Sequence, residues 1–298
     1  MRRTACAWVL CVPAPVLAAQ EVPVFSSGVE VVRVDVSVLR DGRRIDGLRA
    51  GDFEVEDNGV RQTVQIVGDP LAAAAGVVKP VDIVLALDVS DSVRGEQLSQ
   101  LKAAAHAFVD LLHPDDSFSL LTFSSRVRLA VSPADSRARA HDMIEATEAQ
   151  LTTSLHDAAF AAVVTADARR GRPLALILSD GEDHGSWLKP EQVLRAAERS
   201  DLVAHVLFTR HTGSQPTFLL DLAATTGGEA WRADYGQLRD ALSRALEEFR
   251  SRYTLSYERR GVSRAGWHEL EVRVRRPGVK VRARTGYVDV EDRGEDRP

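Results

Sequence analysis

The stretch DIVLALDVSDS, residues 82–92, opens as an uninterrupted apolar run over 83–87 and stops at Asp88. Ser90 and Ser92 follow at alternate positions, before a long amphipathic segment with helical spacing. A buried strand that ends in a carboxylate and two hydroxyls aims oxygen atoms at the mouth of a sheet. In open α/β folds such mouths, outside the carboxyl ends of parallel strands, are where ligands bind. Ligation by oxygen alone suits a hard divalent cation, above all Mg²⁺.

Two later stretches repeat the theme. LALILSDGEDHGS (174–186) is a second apolar strand, over 174–178, running into Asp180-Gly181. Between the two, LTTSLHDAAF (151–160) places Thr153 in a turn that opens a helix. Asp-x-Ser-x-Ser, then Thr, then Asp-Gly resembles the metal-ion-dependent adhesion site of the von Willebrand factor type A domain, over roughly residues 80–250. The resemblance implies a doubly wound, mostly parallel, Rossmann-like α/β sheet. It further implies a Mg²⁺ or Mn²⁺ ion held by Asp88, Ser90, Ser92, Thr153 and Asp180, with one coordination position left for a carboxylate from a partner's Asp or Glu. This chain departs from the pattern in two places. Leu151-Thr152 stands where glycines are frequent, which leaves Thr152 and Thr153 both eligible to face the ion, and Asp91 stands where glycine is frequent.

Around this core the chain changes character. At 298 residues it has room for one large domain and a smaller one. Its 44% apolar and 27% charged residues are ordinary for a soluble globular protein. A formal charge of −5 and the lack of a basic block argue against nucleic acid as a partner. Residues 1–19 have the form of a secretory signal: Arg2 and Arg3, an apolar core over 5–12, and small residues over 16–19 before Gln20. That core is too short to span a bilayer, and no other segment is long and apolar enough. Cys6 and Cys11 both lie inside it, so the mature chain is expected to contain no thiol chemistry and no disulfide. The reading is of an exported, periplasmic or extracellular protein.

Residues 20–67 form an N-terminal β segment, with Val32, Val34, Val36 and Val38 alternating and DFEVEDNGVRQTVQIV (52–67) folding back at Asp57-Asn58-Gly59. A linker over 68–80 precedes the α/β domain at 81–251, where strands alternate with helices. Leu98, Leu101, Ala105, Phe108 and Leu112 mark the apolar stripe of its first helix. Period-two alternation returns over 252–288, and 289–298 is a charged tail expected to be disordered. Neither flank has enough strands for a stable sheet of its own, so the two are expected to pack into one accessory β unit. The flanks, Leu48…Asp52-Phe53…Glu56-Asp57 and Tyr253-x-Leu255-x-Tyr257…Gly286-Tyr287, are similar to those of a secreted bacterial group of von Willebrand factor type A-related proteins first defined in acidobacteria.

Plainer roles exist for the same residues. Ser90 or Ser92 could cap the helix that begins near Val93, and Ser154 with Asp157 has the spacing of a capping box. No nucleophile elbow, phosphate loop or zinc-protease helix is present. A metal-dependent hydrolase would need His156, His184 or Glu182 as its base. The alternative to both is a structural envelope protein with a vestigial site. The reading carried forward is a non-enzymatic protein-binding module.

Overall fold

The computed structural model describes residues 31–69, 79–150, 152–168, 171–209, 216–263 and 265–289. The expected signal, most of the linker and nearly all of the charged tail therefore lie outside the described residues, as does Leu151.

The N-terminal segment supplies β1 (Val31–Arg40), β2 (Arg43–Arg44), β3 (Phe53–Asp57), β4 (Val60–Gln62) and β5 (Val64–Gly68). Then come β6 (Val81–Asp88), α1 (Glu96–Leu111), β7 (Ser117–Phe123), β8 (Val127–Val131), α2 (Arg137–Glu145) and α3 (Leu155–Asp167). The α/β region closes with β9 (Arg172–Ser179), α4 (Pro190–Glu198), β10 (Val203–Phe208), α5 (Thr217–Thr225), β11 (Ala230–Arg232) and α6 (Leu238–Arg250). Strands β12 (Tyr253–Glu258), β13 (Gly266–Val274), β14 (Lys280–Arg282) and β15 (Gly286–Asp289) follow.

The central sheet has six strands in the order β11-β10-β9-β6-β7-β8, all parallel except the β7–β8 pair. Alternate side chains of a strand face opposite sides. Ile83, Leu85 and Leu87 of β6 pack with α1, α2 and α6, while Val84 and Ala86 pack with α3, α4 and α5. Because both faces are covered, β6 and β9 read as continuous apolar runs rather than alternating ones. The stripe expected on α1 is buried at Leu101, Ala105 and Phe108; Leu112 is buried just past the helix end.

Chain direction positions the site. From β6 the chain crosses by α1 to β7; from β9 it crosses by α4 to β10, on the other side of the β6–β9 pair and on the other face. The carboxyl ends of β6 and β9 therefore flank the point where the winding reverses, and the diverging connections leave a crevice there.

The flanks do combine. β1 pairs antiparallel with β12, from Val31↔Glu258 to Val36↔Tyr253, within the order β14-β1-β12-β5; a second sheet runs β15-β13-β3-β4. Between the two sheets lie Val34, Val36, Val55, Leu255, Tyr257 and Leu270. A buried polar cluster joins them. Asp57 Oδ2 accepts from the hydroxyls of Tyr257 and Tyr287, both at 2.8 Å, and Asp57 Oδ1 lies 2.7 Å from His268 Nδ1. Arg259 Nη1 donates to His268 Nε2 at 3.2 Å, so Nδ1 carries the ring proton and donates it to Asp57.

Two of the plainer local roles need correction. Helix α1 starts at Glu96, with Gly95 at φ +62° as its N-cap, so neither Ser90 nor Ser92 caps it. Both serines are turned instead toward the ends of β6 and β9. Ser154 occupies the N-cap of α3 but makes no side-chain cap bond, and Asp157 does not close a capping box. Its carboxylate accepts instead from the backbone N–H groups of Trp187 and Leu188.

Candidate metal centre

Asp88 is the last residue of β6, and the register Leu87↔Leu178 sets it beside Ser179, one residue before Asp180. Asp88 is therefore delivered by the strand itself, and Asp180 by the first position beyond the end of the neighbouring strand. Asp88 is 2% exposed and Asp180 8%. Asp88 Oδ1 accepts from Ser90 N at 3.0 Å, and Oδ2 accepts from Ser179 Oγ at 2.7 Å. Ser90 Oγ and Ser92 Oγ are 3.1 Å apart, and Ser92 Oγ donates to Asp180 Oδ2 at 2.7 Å. One hydrogen-bonded chain thus runs from Asp88 through both serines to Asp180. The turn after β9 requires Gly181, whose φ is +89° and whose missing Cβ would stand 2.9 Å from Pro216.

Thr153 reaches the same place by its backbone. It is buried, and its carbonyl accepts from His184 N and Gly185 N, both at 2.9 Å, in the loop that Asp180 begins. Ser154 N donates to Ser124 O beyond the end of β7. Thr152 is exposed, so Thr153 is the buried one of the two candidates. Asp91 is half exposed and paired with Arg94.

Sequence reasoning missed the residues that brace this arrangement. Ser179 links Asp88 to Gly181 N, from which it accepts at 3.1 Å. Asp183 caps α3 from outside the helix, its Oδ1 accepting from Leu155 N at 2.7 Å and His156 N at 3.3 Å. Ser186 and Asp157 complete the docking of loop 183–188 onto that helix start. The only signal for Asp183 was its place in a polar loop, which specifies no partner.

The histidines are engaged elsewhere. His156 Nδ1 lies 3.4 Å from Asp183 Oδ2, and its ring packs edge-on against Phe218, 4.5 Å between centroids. His184 is exposed and 3.7 Å from Glu182.

The electrostatics are unbalanced. Burial pushes the Asp88 carboxyl up to about 6, against the hydrogen bonds from Ser90 and Ser179, and the charge of Asp180 adds to the rise. Among the described residues neither Asp88 nor Asp180 has a Lys, Arg or His ion-pair partner. Two buried carboxylates without a counter-charge are costly. Among the described residues no three His, Cys, Asp or Glu side chains form a ready cage. The donor set is two carboxylates and hydroxyls, which fits a hard cation that keeps several of its waters.

Residues 82–229 match the family model for the von Willebrand factor type A domain. None of the curated proteins compared matches the chain. Among solved structures, a von Willebrand factor type A protein from Catenulispora acidiphila is 13% identical with a TM-score of 0.51, over 90% of this chain and 76% of its own. Proximal thread matrix protein 1 from the mussel byssus, with a zinc-occupied metal-ion-dependent adhesion motif, is 17% identical with a TM-score of 0.50, over 64% of this chain and 49% of its own. BatB from Bacteroides thetaiotaomicron is 17% identical with a TM-score of 0.46, over 57% of this chain and 98% of its own. At these identities the likeness is one of fold.

Proposed function

Residues 82–229 form a von Willebrand factor type A domain, and from that premise we propose that the chain is an exported protein-binding module of adhesion type. Asp88, Ser90, Ser92, Thr153 and Asp180 hold Mg²⁺ or Mn²⁺ in this reading. A carboxylate from a partner's Asp or Glu completes both charge and coordination when the ion is bound. The observation that carries the proposal is the pair of buried, uncompensated carboxylates, linked by serine hydroxyls, at the winding reversal of the sheet. Ser90 and Ser92 offer neutral oxygens, Asp88 and Asp180 supply charge, and Ser179 and the 183–188 loop hold these groups in place.

Export is supported by Arg2, Arg3, the apolar stretch 5–12 and the small residues 16–19. No helix of the described residues is long and apolar enough to cross a membrane. The flanking β segments support placement in the secreted bacterial group named above. Sequencing the N-terminus of the protein recovered outside the cytoplasm is expected to begin near Gln20.

The deciding experiment is calorimetry on the purified mature chain. Mg²⁺ or Mn²⁺ is expected to bind wild type and to fail with Asp88→Ala and Asp180→Ala. Identical titrations of all three proteins would overturn the metal assignment. Cation-dependent phosphatase or esterase turnover, lost in both Asp88→Ala and His184→Ala, would replace binding with hydrolysis.

A further inference from the structure

A cavity of about 440 Å³ opens beside the metal centre, and its walls are shared with the loops that build that centre. Val89, the residue after Asp88, lines it together with Ser124 and Gln150. Val89 N donates to Phe123 O, Gln150 N to Val89 O, and Ser124 Oγ to Gln150 Oε1. Arg126, Arg128 and Arg139 line the same cavity.

These arginines are unlike most of the other described arginines. Many described arginines engage a carboxylate or a carbonyl, as Arg172 does with Asp35 and Arg284 with Asp201. The side chains of Arg126, Arg128 and Arg139 make no ion pair or hydrogen bond among the described residues. All three are exposed. Asp135 lies close enough to Arg139 to feel its charge, but its own bonds go to Ser132. Glu148, the acidic member of the lining, is also exposed. In a chain of net charge −5 this is a local reversal of sign. Screening over about 8 Å at physiological salt means that an incoming ligand responds to the local charge and not to the net one.

The separation is set by the sheet. Asp88 pairs with Phe123, and Phe123 pairs with Val127, which stands between Arg126 and Arg128. Two strand spacings place these arginines' backbone about 10 Å from Asp88. An extended peptide covers about 10 Å in three residues.

We propose that the arginine-lined cavity is a second anion subsite, which takes an acidic side chain from the same segment whose carboxylate completes the cation site. The proposal rests on the cation-site reading above and narrows it: the partner presents an extended segment with two carboxylates about three positions apart. Guanidinium groups suit this role because each offers a planar fork of donors to a carboxylate.

The test uses two fluorescent octapeptides of glycine and serine, one with two glutamates three positions apart and one with a single glutamate. Both are titrated against the mature chain in Mg²⁺ and in EDTA. The two-glutamate peptide is expected to bind wild type about fivefold tighter, the upper end for one exposed ion pair. In the double variant Arg126→Glu, Arg128→Glu that ratio is expected to fall to about two or below, the statistical ratio for two carboxylates at one cation site, while the single-glutamate peptide keeps its Mg²⁺ dependence. A ratio of about two or less in wild type, or a ratio unchanged in the double variant, overturns the subsite. Failure to bind either peptide at millimolar concentration overturns it as well. Arginine-dependent binding of heparin without discrimination between the peptides overturns it in favour of a sulfated polysaccharide. If the cation reading alone is wrong, EDTA leaves both affinities unchanged while the arginine-dependent ratio survives.

Discussion

Replacing Asp88 by Asn is expected to stabilise the cation-free protein, although Asp88 is buried and hydrogen-bonded. Its folded carboxyl is raised to about 6 from an ordinary 3.8. A raised folded pKa means that protons favour the folded state. The stabilising contribution is then present in full below pH 3.8 and lost as pH rises through about 6. At neutral pH the ionised group costs about 3 kcal/mol relative to the unfolded chain. Asparagine keeps an acceptor for Ser90 N and removes the charge that repels Asp180. Poorer bonding to Ser179 Oγ takes back about 1 kcal/mol. The net expectation is a gain of about 1–3 kcal/mol in urea unfolding of EDTA-treated protein at pH 7. Adding Mg²⁺ should raise wild type in proportion to the logarithm of its concentration and leave Asp88→Asn unmoved, so the gap narrows. A cation-free variant no more stable than wild type would refute the claim that the site stores uncompensated charge.

Asp57→Ala should cost about 3–5 kcal/mol in the same assay, since it strips the shared acceptor from His268, Tyr257 and Tyr287; a loss under about 1 kcal/mol would show the cluster to be dispensable. Burial and the bond to Asp57 push the Tyr257 hydroxyl well up, and burial raises Tyr287 to about 12. The folded state keeps these protons where the unfolded chain releases them, so Tm should fall as pH rises from about 10 towards 12, less so in Tyr287→Phe. His205 is buried and accepts from Glu229 N at Nδ1, so its Nε2 donates to Glu248 and the ring is neutral. Burial lowers its pKa, so its contribution is present above about 6.5 and lost as pH falls below that value. Tm is therefore expected to drop between pH 7 and 5, and an unchanged drop in His205→Gln would refute the assignment. Asp183→Ala removes the bonds to Leu155 N and His156 N, and should cost about 1–2 kcal/mol and speed hydrogen exchange over 183–188.

The elements that bring Asp88, Ser90, Ser92 and Asp180 together were legible because their signals are short-range. An apolar strand of eight residues or fewer, ended by Asp-x-Ser-x-Ser or Asp-Gly, contains both the scaffold and the oxygen atoms of the candidate site within one stretch. The supports were not legible, because each is a meeting of distant segments. Ser154 and Asp157 have capping-box spacing, yet Asp157 answers to backbone groups some 30 residues away. Asp57 and His268 are 211 positions apart, and nothing in the alternation of either strand names the other as its partner. Period two identified the faces of the flanking strands but not their neighbours. The arginine cavity escaped notice because Arg126, Arg128 and Arg139 form no block in the sequence; the β7–β8 hairpin and α2 bring them together.

The pairing of β1 with β12 has a bearing on how the molecule is born. Val31 meets Glu258 and Val36 meets Tyr253, so apart from its short turn-back onto β2 at Leu39 and Arg40, the first described strand to leave the ribosome waits for its long partner until the whole α/β domain has been made. Contacts of such long sequence separation form late, and until then an apolar edge waits open to other chains. The α/β domain, whose core contains none of the flanking residues, can assemble first and deliver the two flanks to each other. Its completion is thus the timer for closing the accessory sandwich, and a ribosome stalled before Tyr253 would leave residues 31–36 of β1 unpaired.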